Sequence, residues 1–534
     1  MLSTFANLET AKRGMMTHQL ALNTTGHNIS NASTEGYTRQ RVNFTTTTPW
    51  PAIGVNRPQI PGQLGTGVKA GTIDRIRDFY LDAQLRNKTP DFGYWDTRAT
   101  ALARVEDIVN EPSDAGLSKV LNSFWESIQD VTTRPSDLSA RQVMLERAKG
   151  LKETFAFMST QTTTAREEIG LQADVHVETI NTLLESINTL NQQIMELEVV
   201  GYKPNDLYDE RDNLVDQLSS IVPIEVERNN IAEKQNPTAD GTYTISLVQN
   251  DGTKFTLVDG KTMKYAEVSL QKGGQPAAGA AATEYDYFQS ITVTDPNGGQ
   301  NNVLDLENFN KRGGLFASIE AYGYVNQQGQ NGTNASGVFY DKLKKLDEMA
   351  FHFVREFNAI HANGIDLDGN QAAADNSFFN DIQNEFGAAQ AVEIALTDPR
   401  AVAVATKNST GNNENAKALA DFILSGNVGK SSIDANGNPI TTNDGPGYHL
   451  KSEIESLVSQ LGVDAQEANR MAYNTLVLVN TATNNRLSVT GVSLDEEFVD
   501  LVRFQHAYNG NARMITVVDE ILDKIINGMG VVGR

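Results

Sequence analysis

The sequence predicts an α+β, mainly helical fold with a discontinuous coiled-coil and helical-bundle core formed by both chain ends, and a small β-rich inserted domain. Apolar residues recur every seven positions at both ends, and no proline interrupts residues 1–48 or 447–534. In the middle, apolar and polar residues alternate around an Asn-Asp-Gly turn, which is typical of a β-hairpin. We expect three domains: a terminal coiled-coil domain (1–60 and 490–534), a helical-bundle domain (61–230 and 311–489) and the inserted β-rich domain (231–310).

The N-terminal stripe predicts one long helix over residues 3–30. Its apolar positions are Met1, Leu8, Met15, Leu22 and Ile29. The stripe is narrow, because Lys12, Gln19 and Gly26 occupy the neighbouring positions where a self-sufficient helix would carry apolar side chains. A marginal helix of this kind gains its stability from packing partners.

A broader stripe at the C-terminal end predicts a second helix over residues 494–527, about 51 Å long given the rise per residue of an α-helix. One row consists of Leu494, Leu501, Tyr508, Ile515 and Leu522. Phe498 and Phe504 add apolar surface beside this row. One interpretation is an antiparallel coiled coil of the two ends that closes a monomer. The other is assembly with further chains, because pairing a broad apolar face with a narrow one leaves apolar surface uncovered.

The middle of the chain combines helical and strand patterns. Residues 180–197, 207–221 and 343–360 show apolar spacings of three and four, which predicts helices of an antiparallel bundle. Residues 243–247 alternate between apolar and polar side chains, and the turn at 250–252 returns the chain into a second strand. The β-rich domain is placed around this hairpin.

Composition and charge exclude several classes of protein. The 534 residues carry 44 basic and 67 acidic side chains, a net charge of −23, whereas nucleic-acid binders need a cationic surface. The lack of cysteine excludes disulfides, iron–sulfur clusters and cysteine-ligated zinc. No apolar run reaches the ~18 residues of a membrane span, and the first residues show no Sec-type signal pattern. We therefore expect no nucleic-acid or membrane partner, and any export to proceed without a cleavable signal peptide.

Three patterns that could bind a ligand fit simpler structures better. Gly62, Gly65 and Gly67 follow prolines and lack the Gly-Lys-Ser/Thr ending of a phosphate-binding loop, so they predict a turn. Asp366 and Asp368 imitate the start of a calcium loop, but the glycine and glutamate that such a loop needs are missing. The seven histidines show no metal-ligand spacing. We expect no catalytic residue, no metal, no cofactor and hence no enzyme activity.

Segments at both ends resemble the bacterial flagellar axial protein family. Residues 28–40 read Asn-Ile-Ser-Asn-Ala-Ser-Thr-Glu-Gly-Tyr-Thr-Arg-Gln, which is similar to the N-terminal signature of that family. Residues 489–497, 505–508 and 512–513 resemble its closing helix, and the internal stretches 65–68, 75–86, 204–207 and 211–212 are similar to the same family. The resemblance implies a structural subunit that acts as an adaptor at the hook–filament junction, with terminal helices packed into the inner layers of a tube and no catalysis.

The same resemblance implies partners and location. The implied partners are copies of the chain itself, the flagellar hook protein, hook-associated protein 3 as second junction protein, and the export chaperone with the type III export apparatus. The implied location is extracellular, in the flagellum. Two rival functions remain open: another axial protein, such as the hook subunit or a rod component, and a secreted hydrolase with paired carboxylates in the acidic middle.

The predicted subunit-contact residues combine the two stripes with the segment at the exit of the first helix. In that segment Gly36 permits a positive φ, Tyr37 offers an aromatic face and Arg39 a charge. The alternative is a local turn that fixes the helix exit without touching neighbouring chains. The predicted set is Leu8, Met15, Leu22, Ile29, Gly36, Tyr37, Arg39, Leu494, Phe498, Leu501, Phe504, Tyr508, Ile515 and Leu522.

Overall fold

A computed structural model describes residues 4–51, 62–109, 116–230, 239–273, 284–329, 332–372, 377–409, 411–425, 431–433, 439–441 and 450–528. The helices are α1 (Thr4–Ser30), α2 (Phe79–Val109), α3 (Leu117–Thr133), α4 (Leu138–Val199), α5 (Asn205–Ile221), α6 (Gly314–Tyr322), α7 (Val338–Ala362), α8 (Ala388–Ala391), α9 (Glu414–Ser425), α10 (Leu450–Thr490) and α11 (Leu494–Gly528). The strands are β1 (Gln40–Thr46), β2 (Val68–Arg75), β3 (Ile224–Asn229), β4 (Thr242–Val248), β5 (Lys254–Asp259), β6 (Lys264–Tyr265), β7 (Val268–Gly273), β8 (Tyr287–Val293), β9 (Asn302–Asp305), β10 (Tyr324–Gly329), β11 (Gly332–Ser336), β12 (Ser431–Ile433) and β13 (Pro439–Thr441). The predicted α+β, mainly helical class is confirmed.

The two ends of the chain pack against each other. α1 and α11 run antiparallel: Asn28 lies beside Glu497 near one end of the pair, and Gly14 faces Asn511 further along. A Cβ added at Gly14 would lie 2.7 Å from Oδ1 of Asn511, so the missing side chain lets the helices approach closely. β1 and β2 form a hairpin that packs on α1. We call α1, α11 and this hairpin the terminal layer.

The β1–β2 hairpin is the part of the terminal layer that leads the chain into the rest of the molecule. Its antiparallel register pairs Thr46 with Val68 at one end and Gln40 with Arg75 at the other. Only residues 76–78 separate Arg75 from the start of α2 at Phe79, so this end of the hairpin meets the rest of the molecule. This end is the place where the terminal layer is attached.

The glycine-rich segment before β2 belongs to the far end of the hairpin. Trp50 and Leu64 exchange backbone hydrogen bonds of 2.9 and 2.8 Å. Gly62 and Gly67 have positive φ values of 86° and 113°, which glycine adopts without steric cost. Most of the proline cluster, residues 52–61, lies outside the described residues.

α4 is the longest element of the remainder of the molecule, which we call the body. It has 62 residues and is therefore about 93 Å long. Asp137 caps its start, where the carboxylate accepts the backbone N–H of Ser139 at 2.9 Å. α3, α5, α6 and α7 pack along α4, and α10 packs along α2. The helix predicted at 180–197 is the last part of α4, whereas those predicted at 207–221 and 343–360 are α5 and α7.

Two larger sheets and the two-stranded antiparallel sheet of β12 and β13 lie within the described part of the body. The first has the strand order β3-β4-β5-β6 and is antiparallel throughout. The second has the order β11-β10-β8-β7, with β9 also paired to β8 and with β10 parallel to β8. β4 and β5 form the predicted hairpin, with Ile245 opposite Val258. The Ala/Gly-rich stretch of loops expected at 273–282 lies outside the described residues apart from Gly273.

One continuous apolar core fills the body. Its buried members run from Tyr94 to Ala468 and come from the helices and from both larger sheets. The β-rich segment therefore shares its core with the surrounding helices. The terminal layer has a separate, small cluster of Ala21, Val42 and Phe504. The division of the chain into the three predicted domains stays a prediction.

None of the described helices has both the length and the apolar composition to span a bilayer.

The segment that imitates a calcium loop is an Asx turn. Oδ1 of Asp366 accepts the backbone N–H groups of Asp368 and Asn370 at 2.9 and 2.8 Å. The Asp368 carboxylate is paired with Arg400. The Asp366 carboxylate is therefore used within the turn, and that of Asp368 in an ion pair outside it. Within the described parts of the chain, no three His, Asp or Glu side chains come together as a set of metal ligands.

A buried histidine in the body predicts a dependence of stability on pH. His361 is fully buried, its Nε2 accepts the N–H of Ala403 at 2.9 Å, and burial lowers its pKa from 6.5 to about 4. The folded chain thus holds the neutral ring, and the stability this provides is present above pH 6.5 and lost as the pH falls towards 4. The difference between these pKa values corresponds to about 3 kcal/mol. Urea unfolding at pH 7 and pH 4 measures the loss.

The matched variants for this prediction are His361→Gln and His506→Gln. The glutamine amide oxygen at 361 can accept the Ala403 N–H but binds no proton, so this variant should lose less stability between pH 7 and pH 4 than the wild type. His506 is exposed, and its replacement should leave the pH dependence unchanged. An identical pH dependence in His361→Gln and the wild type would contradict the assignment.

Candidate interaction surface and its anchor

α1 buries small and polar side chains instead of its predicted apolar row. The buried residues are Ala11, Gly14, Thr17, Ala21, Thr24, Thr25 and Asn28. The predicted residues Leu8, Met15, Leu22 and Ile29 lie beside this row and are half-buried. Small side chains permit the close approach of α11 and the hairpin, and the larger ones are consequently displaced to the flank.

α11 shows the same displacement. Its buried residues are Glu497, Phe504 and Val518, which recur at multiples of seven. Four predicted contact residues are half-buried beside them: Leu501, Tyr508, Ile515 and Leu522. Leu494 and Phe498 are 45% and 52% exposed. Of the predicted residues on α11, Phe504 is therefore used inside its own chain, whereas Leu494 and Phe498 face solvent.

The terminal layer exposes more apolar side chains than it buries. Among the described residues of α1, α11, β1 and β2, five apolar side chains are buried and thirteen large ones are exposed. The exposed ones are Phe5, Met16, Leu20, Phe44, Leu494, Phe498, Val499, Val502, Met514, Val517, Ile521, Ile525 and Ile526. Four of them, from Met514 to Ile525, follow at spacings of three and four and thus share one side of α11. Exposed apolar area of this extent marks an interaction surface.

Three aromatic rings pack together at the centre of the terminal layer. Phe504 of α11 lies edge-on to Phe44 of β1, with ring centroids 5.8 Å apart, and stacks beside His18 of α1 at 6.2 Å. Burial lowers the pKa of His18, which keeps its ring neutral against the two phenyl rings. This group contacts all three components of the layer and holds them together.

Asn28 connects α1, the hairpin and α11 through its side chain. Its Nδ2 donates to the carbonyl oxygen of Gln40 at 2.8 Å and to Glu497 at 3.0 Å. Its Oδ1 accepts the N–H of Gln40 at 3.0 Å and the hydroxyl of Tyr37 at 2.8 Å. Because Asn28 is 1% exposed, this full set of partners is what permits its burial.

The predicted contact segment at the exit of α1 makes contacts within its own chain. Gly36 has a φ of 79°. Burial, together with nearby carboxylates that include Glu497, raises the pKa of Tyr37, so its hydroxyl stays protonated and donates to Asn28. Arg39 forms ion pairs with Glu496 and Glu497 at 2.6 and 2.7 Å. These contacts lie within one chain, as expected for the alternative of a local turn that fixes the exit of the helix. The role of the segment in contact between subunits stays a prediction.

A buried cluster of arginines and aspartates attaches the terminal layer to the body. We call it the anchor cluster: Arg75, Arg77, Arg86 and Arg486 with Asp82, Asp209, Asp212, Asp216 and Asp240. Arg75 ends β2, Asp82 and Arg86 belong to α2, and Asp212 belongs to α5. The cluster therefore joins the hairpin to two helices of the body, and Arg486 adds α10.

Asp212 is the centre of the anchor cluster. Its carboxylate lies 2.9 Å from Arg75, 3.1 Å from Arg77 and 3.2 Å from Arg86, and it accepts the hydroxyl of Tyr243 at 2.9 Å. Burial alone raises the pKa of Asp212, but Arg77, Arg75 and Arg86 outweigh this effect and hold the pKa well below its usual range. The carboxylate is therefore ionised. Each of the three arginines depends on this negative charge to offset part of the desolvation cost of its own burial.

Backbone contacts between the hairpin region and α5 reinforce the anchor cluster. The N–H of Thr38 donates to Asp209 at 2.9 Å, and the side chain of Asn205 donates to the carbonyl oxygen of Ile73 at 3.1 Å. Gln40 donates to Asp206 at 3.0 Å. The start of α5 is thus the surface on which the hairpin rests.

Sequence reasoning did not find the anchor cluster or the role of Asn28. The only available signal is that Asn28, the stretch 75–86 and the pair at 211–212 lie in segments that resemble the axial protein family. That signal assigns no partner to any of these side chains. Asp82 and Asp212 are 130 positions apart, and their contact with Arg77 follows from the tertiary fold.

Comparison with known proteins connects this architecture to the flagellum. Residues 102–379 match the family model described as the flagellar hook-associated protein FlgK helical domain. Residues 8–38 match the family of flagella basal body rod proteins, and residues 483–528 match the C-terminal model of the flagellar basal body rod FlgEFG proteins. The segments with rod-family matches thus include most of the terminal layer.

Whole-chain relatives agree with the family models. The chain is 38% identical over 543 residues to flagellar hook-associated protein 1 of Bacillus subtilis (strain 168), with 100% of both chains covered. It is 24% identical over 577 residues to flagellar hook-associated protein 1 of Escherichia coli (strain K12), with 97% of this chain and 99% of that one covered. The structure of the flagellar hook junction protein FlgK from Burkholderia pseudomallei has a similar fold, with a TM-score of 0.57 at 15% identity, covering 76% of this chain and 100% of that one.

Proposed function

Because this chain belongs to the flagellar hook-associated protein 1 family, we propose that it is a structural subunit of the bacterial flagellum that acts as an adaptor at the hook–filament junction. The observation that carries the proposal is the terminal layer, which buries five apolar side chains and leaves thirteen large ones exposed. Exposed apolar surface of this extent is unfavourable in water, and its burial under other chains is favourable. Assembly then completes the packing of helices that are marginal alone.

The proposed partners follow from this role. Copies of the chain cover the terminal layer laterally, the hook protein lies on one side of the junction, and hook-associated protein 3 lies on the other. An adaptor of this kind presents different surfaces to its two neighbours, so its contacts are heterologous. Before assembly, an export chaperone and the type III apparatus handle the unfolded chain, without a cleavable signal peptide, and a chain free of cysteine suits that route.

The predicted contact residues take two roles in this proposal. Leu494 and Phe498 are exposed and contact neighbouring chains directly. Phe504 acts from inside the layer, because it fixes the position of α11 against α1 and the hairpin. The half-buried residues of both helices, which include Leu8 and Leu501, lie at the edge where a neighbouring helix would pack.

The two rival functions have less support. The match of residues 102–379 to a hook-associated domain favours a junction protein over a hook or rod subunit, because the rod-family matches are confined to 8–38 and 483–528. The hydrolase alternative requires carboxylates free to act as acid and base. The buried carboxylates of Asp82, Asp209 and Asp212 are paired with arginines instead.

The proposed function predicts that a charge on the exposed side of α11 prevents assembly. Ile521 is 44% exposed, so Ile521→Glu should leave the unfolding of the isolated chain unchanged. Burying that carboxylate under a neighbouring chain costs several kcal/mol, so incorporation into flagella should fall by about tenfold or more. Quantitative immunoblots of purified flagella from a strain that expresses only the variant measure incorporation.

The matched control is Thr516→Glu, which adds the same charge to the same helix. Thr516 lies on the side of α11 that already carries Glu520 and Asp523, at spacings of four and seven residues. This control should be incorporated normally. If Ile521→Glu were incorporated as well as Thr516→Glu, the exposed apolar side of α11 would not be covered in the flagellum, and the proposal would lose its main support.

A further inference from the structure

The C-terminal half of α10 presents a second exposed surface, outside the terminal layer. Residues 471–485 contain no Asp, Glu, Lys or Arg, in a chain with 21% charged residues. In this half of the helix the buried side chains are Thr475, Ala482 and Thr490, which form a narrow row against the body. Met471, Ala472, Val479, Thr483 and Arg486 flank this row and are half-buried, and the other residues of this half are exposed.

A regular row runs along the side of α10 opposite its buried residues. We call it the α10 outer face: Tyr473, Val477, Asn480, Asn484 and Leu487, all exposed. Their spacings alternate between four and three, which is the pattern of a helix that packs lengthwise against another helix. Tyr473 is 68% exposed and Leu487 51%, so the described residues of the chain leave these side chains uncovered.

α1 carries a row of the same kind on the side that faces away from α11. We call it the α1 outer face: Met16, Leu20, Asn23 and His27, all exposed and spaced by four, three and four. It lies in residues 14–30, which also contain no Asp, Glu, Lys or Arg. Among the described helices, these two stretches are the longest without charge, 15 and 17 residues, or about 22 and 25 Å.

Charge and symmetry indicate which kind of surface packs against the α10 outer face. Copies of a chain with a net charge of −23 repel one another, so contacts between copies are favoured where no charge is present. A surface for a cationic partner would instead present carboxylates. Two α10 outer faces could pair only isologously, which closes a dimer, whereas a tubular assembly needs two different surfaces in contact.

We propose that the α10 outer face of one copy packs against the α1 outer face of a second copy. This inference rests on the proposed function, because it requires that copies of the chain assemble side by side. It extends the contact between copies from the terminal layer onto the body. The α10 outer face is continuous along the chain with the exposed apolar start of α11, since α10 ends at Thr490 and α11 begins at Leu494.

Photo-crosslinking in assembled flagella tests the inference. The photoreactive p-benzoylphenylalanine replaces Tyr473 in the full-length chain, and purified flagella are irradiated. The expected product is a covalent dimer of the chain whose crosslinked peptide maps to residues 14–30. No dimer, a dimer joined elsewhere, or a product with another protein would overturn the inference. The same probe at Val463, which is 63% exposed on α10 beside Asp464, should give no dimer.

A third probe, at Ile521, separates failure of the inference from failure of the proposed function. A dimer from the probe at 521 without one from the probe at 473 would show that copies assemble but do not use the α10 outer face. Absence of the unmodified chain from purified flagella would contradict the proposed function itself. The three probe positions are exposed in the single chain, so the substitutions should not perturb its fold.

Discussion

Replacing Asp212 with alanine is expected to destabilise the folded chain by about 3 to 5 kcal/mol, because it leaves buried arginines without their shared carboxylate. Asp212 lies within 3.2 Å of Arg75, Arg77 and Arg86, and the Arg75 and Arg77 side chains are 3% and 6% exposed. These cations cannot regain hydration without moving. Urea unfolding followed by circular dichroism should show a lower midpoint in the variant.

Glu210→Ala is the matched control, because Glu210 lies on the same helix and is exposed. Its replacement should change the free energy of unfolding by no more than about 0.5 kcal/mol.

The pH dependence of the effect of Asp212→Ala adds a second check. Since the pKa of Asp212 is held well below its usual range, its contribution to stability is present above about pH 4 and lost below it. The difference between wild type and Asp212→Ala should thus be constant from pH 5 to 8; equal stabilities there would contradict the role of the anchor cluster.

The Asp212 substitution should also affect the terminal layer, because the anchor cluster is where the hairpin meets the body. Arg75 ends β2 and Arg77 follows it, and both pair with Asp212. A weakened cluster leaves the hairpin held by contacts such as the one between Thr38 and Asp209. Hydrogen exchange in β1 and β2 should therefore accelerate more than exchange in the centre of α4.

The sequence predicts the helical class of the fold because the signals of its ends are local. The recurrence of apolar residues every seven positions and the lack of proline predict α1 and α11, with both ends of each helix correct to within a few residues. The sequence prediction covers only the last part of α4, although Met144, Leu151 and Phe155 continue the helical spacing and no proline occurs between Pro135 and Pro204. The absence of proline permits one helix from the cap at Asp137 through residue 180 and beyond.

The rows that contact each other in the terminal layer differ from those that hydrophobicity selects. The spacing of large apolar residues selects the row of Leu8 and Met15, whereas the structure buries Gly14 and Ala21 in the neighbouring row. Large side chains give the strongest periodic signal, but two helices and a hairpin that pack closely need small side chains between them. Hydrophobic periodicity therefore identified the helices correctly and the buried side of α1 less well.

The anchor cluster could not be predicted, because it has no periodic signal. Its members come from β2, α2, α5 and α10, and charged residues read from sequence are most often solvent-exposed. Only the fold brings Arg486 to Asp216, 270 positions away. Pairing of distant charges requires tertiary contacts that one sequence without its relatives does not specify.

Deleting residues 495–534 is expected to abolish incorporation into flagella and to unfold α1 as well. The deletion removes Phe504 and Glu497, which cover α1 at its centre and near its end. A helix with so few apolar contacts does not persist in water without a partner. The helical signal in circular dichroism should therefore fall by the 27 residues of α1 in addition to those of α11. Deleting residues 1–40 should have the reciprocal effect on α11.

The body should melt cooperatively in both deletions, because its core does not include the terminal layer. The buried core runs from Tyr94 to Ala468, and the anchor cluster, which begins at Arg75, remains in both shortened chains. The melting temperature of the body should therefore stay within a few degrees of the full chain while incorporation is lost. Loss of cooperative melting in either deletion would mean that the ends support the body, and assembly could then no longer be assigned to the terminal layer separately from folding.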